Sequence, residues 1–163
     1  MENLRKTKKI IEKNAYLVLG TCRNDIPWTA PLFYASDKSL DFYFVSGKET
    51  RHVKDLEENS NVSVTIFDSQ ATPEEADGIY IEGTARQVAV SELPKAIKLI
   101  YKKRFTDPSE LKKHVHEVDD FLGHNPRRFY KIKTGRIYKL DTESTSEVDK
   151  RVEIDIEKMR EIL

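Results

Sequence analysis

Between positions 46 and 52 the chain reads Ser46-Gly47-Lys48-Glu49-Thr50-Arg51-His52, which places two hydroxyls, two cations and an imidazole within one short stretch. That set suits a bound phosphate, with charge from Lys48 and Arg51 and hydroxyl donors from Ser46 and Thr50. The stretch follows Leu40-Asp41-Phe42-Tyr43-Phe44-Val45, aromatic and β-branched as strands are. It leads into Val53-Lys54-Asp55-Leu56-Glu57-Glu58-Asn59, a short amphipathic run whose Asn59 suits a helix C-cap. Ser46 and Glu49 have capping-box spacing, which predicts a helix starting as early as Ser46. A strand that turns into a helix in this way aims free backbone N–H groups at one point.

The competing reading is a solvated surface. Cations at a helix N-terminus oppose the macrodipole by about 0.3–1 kcal/mol each. An exposed ion pair with Glu49 or Asp55 returns only about 0–1 kcal/mol, whereas each charge-assisted hydrogen bond to a phosphate is worth about 1.5–3 kcal/mol. The balance favours a phosphate cradle. Its spacing differs from a P-loop, because Gly-x-x-x-x-Gly-Lys-Ser/Thr is absent.

The elements that position this stretch follow from pattern. Residues 2–13 set Leu4, Ile10 and Ile11 among charges, a short helix stopped by Asn14. Ala15 to Cys22 is a strand apolar on both faces and so expected to be buried. After the Arg23-Asn24-Asp25 turn, Thr29 to Ser36 returns as a second strand. Pro27 and Pro31 bracket its start and mark it as an edge or bulge. That irregularity either serves a ligand or only bends the sheet. Asn61 to Asp68 alternates Val62, Val64 and Ile66 against polar neighbours, and Ile79 to Val88 is a long strand with a bend at Gly83. Ser91 is expected to cap a helix carrying Leu93, Ile97, Ile100, Tyr101 and Phe105 as a core stripe. Asp107, Pro108 and Glu110 recap a second helix, and two strands, Arg128 to Thr134 and Arg136 to Asp141, are predicted about Gly135. Ser144-Thr145-Ser146 reads as mobile, and residues 142–163 suit a strand and a helix equally.

Composition bounds the class. A chain of 163 residues is expected to form one domain, 1–163. Acidic and basic residues balance at 28 each, which favours neither nucleic acid nor an anionic membrane. One cysteine, Cys22, precludes an internal disulfide and fits a reducing, cytoplasmic setting. No apolar run reaches the roughly 20 residues that span a bilayer, and residues 1–6 lack the apolar core of a signal peptide. His114-x-His116 would face apart on a helix, and no second ligand pair has zinc spacing, so no metal site is expected. No Gly-x-Ser-x-Gly elbow is present, and no residue is singled out as a catalytic acid or base. Arg127-Arg128 beside Phe129-Tyr130 is read as a strand rather than a base-stacking surface.

The order strand, Ser-x-Lys-x-Thr-Arg-His, short helix, then Val62-Ser63-Val64-Thr65-Ile66-Phe67 resembles the pyridoxamine-phosphate-oxidase-like, FMN-binding split β-barrel family. The resemblance extends back through Tyr16-Leu17-Val18-Leu19-Gly20-Thr21 and Pro27-Trp28-Thr29-Ala30-Pro31-Leu32-Phe33-Tyr34, and forward more loosely from Arg128 to about Leu140. It implies a mainly β fold with some α, a six- to seven-stranded antiparallel split barrel with flanking helices. It implies FMN, its phosphate on Ser46, Lys48, Thr50 and Arg51, with His52 on the phosphate or ribityl chain. The backbone of Thr29, Ala30, Pro31, Leu32 and Phe33 would set the ring. It further implies a flavin-dependent oxidoreductase acting on a small molecule with NAD(P)H as a candidate reductant, and a homodimer with flavin between subunits, where Glu82 and Thr84 reach a partner's flavin. The oxidase that names the family carries an Arg-x-His segment near its end. None follows Leu140 here, so vitamin-phosphate oxidation itself is not expected. The rivals are a non-catalytic flavin-binding or sensing protein, a deazaflavin protein, and a haem-binding barrel ligating iron through His114, His116 or His124.

Overall fold

The computed structural model describes residues 1–113, 118–141 and 150–163. Seven antiparallel strands form its frame: β1 (Tyr16–Arg23), β2 (Ile26–Ser36), β3 (Phe42–Gly47), β4 (Asn61–Phe67), β5 (Gly78–Gln87), β6 (Arg127–Leu140) and β7 (Arg151–Glu153). Neighbours run β3-β2-β1-β4-β5-β6-β7. β3 also pairs back onto β6, from Phe42↔Ile132 to Gly47↔Arg127, so six strands close into a barrel. β7 adds to the far end of β6, at Tyr138 to Leu140. The mainly β barrel with flanking helices is the expected fold class.

Closure explains where the strands depart from pattern. β1 buries Leu17, Leu19 and Thr21, while Tyr16 is exposed and Val18 half-buried; a barrel wall has one inner face, so the expected double-sided burial does not occur. The β1–β2 connection is a two-residue turn with Asn24 and Asp25 both at positive φ. β2 starts at Ile26 rather than Thr29 and contains both prolines. It pairs with β1 along Ile26 to Phe33, but with β3 only at Tyr34 to Ser36. Its outer half is therefore an edge, where a missing N–H forfeits no ladder bond.

β6 is one strand rather than two. Pairing steps from Glu82↔Arg136 to Gly83↔Thr134, which leaves Gly135 as the extra residue of a bulge. A Cβ on Gly83 would lie 2.5 Å from the Lys133 carbonyl oxygen, and one on Gly135 3.0 Å from that of Glu82. Only glycine lets the two backbones approach this closely.

The inner core gathers Leu17, Leu19, Tyr34, Phe42, Phe44, Val64, Ile66, Ile79, Ile81 and Ile132. Helix α1 (Glu2–Lys13) contributes Leu4 and Ile11, and α2 (Arg51–Glu58) contributes Val53 and Leu56. A second core lies outside the barrel wall, where α3 (Leu93–Arg104) sets Leu93, Ala96, Ile97 and Ile100 against Tyr43 and Phe129. Ser91 does not cap α3. It sits in a 3-10 turn (Val90–Glu92), and the residue before α3 is Glu92, whose carboxylate is held by Lys131 at 2.5 Å and Arg86 at 2.7 Å. Asp107 accepts from the Ser109 backbone N–H as the capping spacing predicts, leading into α4 (Pro108–Lys113). The tail is strand and helix in succession, β7 and then α5 (Ile156–Ile162), with Asp155 capping α5. The Ser144-Thr145-Ser146 stretch lies outside the described residues. Among those described, no helix is long and apolar enough to cross a membrane.

Candidate functional site

Ser46 and Gly47 are the last residues of β3, fixed by pairing with Arg128 and Arg127. This pairing overrides the capping-box spacing: the helix begins at Arg51, with Thr50 at the N-cap and no side-chain cap bond. Glu49 turns outward instead, to Lys54 at 3.3 Å. Two N–H groups of the turn are already satisfied, Lys48 by the Pro126 carbonyl at 2.9 Å and Thr50 by that of Gly47 at 3.2 Å. The cradle therefore relies on side chains more than on free backbone donors.

Three of the expected residues meet directly. Ser46 Oγ lies 2.7 Å from His52 Nε2 and 3.2 Å from Thr50 Oγ1, and Thr50 Oγ1 lies 3.2 Å from the same nitrogen. Thr50 Oγ1 also donates to the Gly47 carbonyl at 2.9 Å. His52 is only 7% exposed, beside the Phe44 ring. Burial pushes its pKa below the ordinary histidine value, with the Asp55 carboxylate partly opposing. Its imidazole is in contact with both hydroxyls. Asp55 is itself buried, accepting from Thr21 at 2.8 Å and pairing with Arg23 at 3.2 Å, and so ties α2 to β1.

The two cations differ in placement. Lys48 is half-buried on the turn. Arg51 is exposed and stacks its guanidinium 4.3 Å from the Trp28 ring centroid, at the outer end of β2. Strand alternation then sorts the β2 residues. Thr29 and Pro31 are exposed, and Phe33 joins the outer core, while Ala30 is buried opposite Leu19 and Leu32 packs on the inner core.

A cleft of about 560 Å³ lies between the β2–β3 wall and α3, lined by Tyr16, Phe33, Val45, Ser46, Gly47, Ile100, Tyr101, Arg104, Phe121 and Arg127. Tyr101, Arg104, Phe121 and Arg127 also line an adjoining hollow of about 500 Å³. Tyr16 meets Phe33 edge-on, centroids 5.9 Å apart. Burial raises the Tyr101 pKa, and Arg104 and Arg127 oppose that rise. The volume and the mix of aromatic walls with a few cations match small-molecule sites. Sequence reasoning did not find Tyr16, Tyr101, Arg104, Phe121 or Arg127. The available signal was the basic last turn of α3, Lys102-Lys103-Arg104, and the Arg127-Arg128 pair.

Arg128 is the organiser of the adjacent loop. It is buried and donates to the carbonyls of Asn125 (2.6 Å), Arg127 (2.8 Å) and Gly123 (2.7 Å). That loop contains Pro126, which holds the Lys48 N–H. Of the residues named for haem, His124 is exposed in this loop, and His114 and His116 lie outside the described residues. Among the described residues, no group of three His, Cys, Asp or Glu side chains is placed to hold a metal ion. Glu82 is exposed and Thr84 is exposed on β5.

A family model described as pyridoxamine 5'-phosphate oxidase matches residues 4–141, spanning all six barrel strands and the whole cradle. The chain belongs to that family. This pyridoxamine 5'-phosphate oxidase-like chain is similar to a UPF0306 protein of Pasteurella multocida, 25% identical over 103 residues, 63% of this chain and 68% of the relative. Its fold is similar to that of a heme binding protein from Mycobacterium smegmatis, with a TM-score of 0.70, 12% identity, and coverage of 97% of this chain and 60% of that one. It is also similar to a FAD-binding protein from Mesorhizobium loti, with a TM-score of 0.57, 17% identity, and coverage of 83% and 91%. At these identities the two structural likenesses are likenesses of fold. Structures of similar fold thus include one described as heme binding and one as FAD-binding.

Proposed function

We propose that this protein binds FMN in the cleft beside β2 and β3 and acts as a flavin-dependent oxidoreductase on a small substrate. The observation that carries the reading is Ser46, which meets Thr50 and His52 and also lines a cleft walled by Tyr16, Phe33, Tyr101 and Phe121, a cleft that Thr50 and His52 do not themselves line. Bound flavin would supply the electron chemistry. Lys48 and Arg51 would neutralise the phosphate, and Ser46 and Thr50 would give it hydroxyl contacts. The outward residues Thr29, Pro31 and Phe33 would support the ring, with Ala30 and Leu32 contributing backbone only. Arg104 and Arg127 leave room on the rim for an anionic or strongly polar substrate. The open outer half of β2, with Trp28 and Ile26 exposed beside it, suits a second copy of the chain, so the protein is proposed to work as a homodimer. A cytoplasmic location is part of the same reading.

The test is the chromophore that accompanies the purified protein. A yellow sample releasing FMN on denaturation, with bound flavin bleached anaerobically by NADH or NADPH and reoxidised by substrate, is the expected result. Bound flavin that no nicotinamide reduces would make it a carrier or sensor. A Soret band would replace flavin with haem, and a shifted near-ultraviolet band without the flavin visible maximum would indicate a deazaflavin.

A further inference from the structure

The triangle of Ser46, Thr50 and His52 has fewer protons than contacts. Thr50 Oγ1 carries one proton and gives it to the Gly47 carbonyl at 2.9 Å. The 2.7 Å contact between Ser46 Oγ and His52 Nε2 is then filled in one of two ways. Either Ser46 donates to a bare Nε2, and its oxygen offers only lone pairs, or Nε2 carries a proton and donates to Ser46, and the Ser46 O–H is freed from the imidazole to choose between Thr50 Oγ1 at 3.2 Å and a ligand. An anionic oxygen at the cradle requires the second arrangement, since it accepts and never donates. A neutral ring with its proton on Nε2 permits that arrangement, and a doubly protonated imidazolium, which the charge of a bound anion favours, enforces it because both ring nitrogens are then donors.

We propose that His52 is a positioning residue that turns the Ser46 hydroxyl toward a tetrahedral oxyanion of the phosphate or sulfate type, so that anion binding at the cradle carries a proton onto His52. The proposal rests on the reading of the cradle as an anion site, but not on the anion belonging to a flavin.

The surroundings leave this coupling free to operate. On α2, the Asp55 carboxylate is the nearby negative charge, and it is shared with Arg23 and Thr21 of β1. Arg23 in turn reaches Glu58 at 3.3 Å. On β3, Phe44 presents an aromatic ring, backed by Tyr130 of β6 stacked at 5.3 Å. Arg128, paired in register with Ser46, has its guanidinium on three carbonyls. Arg51 is drawn to Trp28 of β2, and Lys48 completes the turn. Burial dominates over Asp55 and disfavours the charged imidazole, holding its pKa below the ordinary histidine value. A bound dianion adds the negative charge that reverses this. Anion affinity should therefore rise as pH falls through the His52 pKa of the bound state, and level off below that of the free state.

Sulfate is the suitable probe, because it stays doubly charged across the range in which histidine titrates. The experiment follows the His52 ring proton by NMR between pH 5 and 8.5, in chloride and in sulfate at equal ionic strength, with His124 as an exposed internal control. Sulfate is expected to raise the His52 pKa by about one unit, equivalent to tenfold tighter binding by the protonated form, and to leave His124 unmoved. In Ser46→Ala the shift should shrink and in Ser46→Thr it should recover, while His52→Gln should bind sulfate with no pH dependence. An identical His52 pKa in saturating sulfate and in chloride overturns the proposal using wild-type protein alone, and so does an undiminished shift in Ser46→Ala. If sulfate moves His52 but FMN fails to bind at any pH, the flavin reading falls and this inference stands. If FMN binds and sulfate leaves His52 unmoved, the reverse holds.

Discussion

Arg127 and Arg128 are neighbours on β6, one exposed on the cleft rim and one buried with its guanidinium on the carbonyls of Gly123, Asn125 and Arg127. A dipeptide of like residues gives no sign of which will be buried; strand alternation and the loop that folds over it decide. Because hydrogen bonds from a charged donor are worth about 1.5–3 kcal/mol each, and a lysine cannot reproduce the planar fork, Arg128→Lys should lower stability by about 2–4 kcal/mol. A urea midpoint measured against wild type checks this. Arg127→Ala, on the exposed rim, should stay within about 0.5 kcal/mol. An equal loss in both variants would mean that the loop is not held by Arg128. The same logic accounts for His52: its type and its place after Arg51 suggest a ligand contact, and its burial beside Ser46 depends on β3 ending where it does.

At the scale of elements, the informative case is the bulge that joins β5 to β6. Gly83 was legible as a bend because glycine inside a long strand pattern weakens it without another role. Gly135 suggested a break, since sequence alone does not distinguish a glycine between two strands from one bulged out of a continuous strand. With the Lys133 carbonyl only 2.5 Å from where a Gly83 Cβ would sit, Gly83→Ala forces backbone apart and should cost about 1–3 kcal/mol. Gly78→Ala, whose Cβ would find its nearest neighbours at an ordinary 3.4 Å, should cost much less. Differential scanning calorimetry of the two variants would show this, and equal melting temperatures would contradict the bulge account. The start of α2 was misplaced for a related reason. The capping spacing of Ser46 and Glu49 is local, but the pairing of Ser46 with Arg128 is long-range and wins.

For the whole molecule, local pattern is enough to read where most strands lie along the chain and the inward residues of β4, where Val62, Val64 and Ile66 alternate as expected. The closure of β3 on β6 is set by no single stretch and came through the family resemblance rather than through periodicity. The cleft was invisible for the same reason. Tyr101, Arg104 and Phe121 share a cleft with Ser46 only because α3 and the following turn pack over the outside of the barrel. A tyrosine in a helical stripe reads as core until the opposing wall is known. The central claim is that residues 46 to 52 grip a phosphate beside an aromatic cleft. Its most direct measurement is calorimetric titration of FMN into apoprotein, wild type against Lys48→Ala/Arg51→Ala, with oligomeric state followed by light scattering. Loss of two charge-assisted contacts predicts at least about a hundredfold rise in Kd with the fold and assembly unchanged. An unaltered Kd in the double variant would contradict the account.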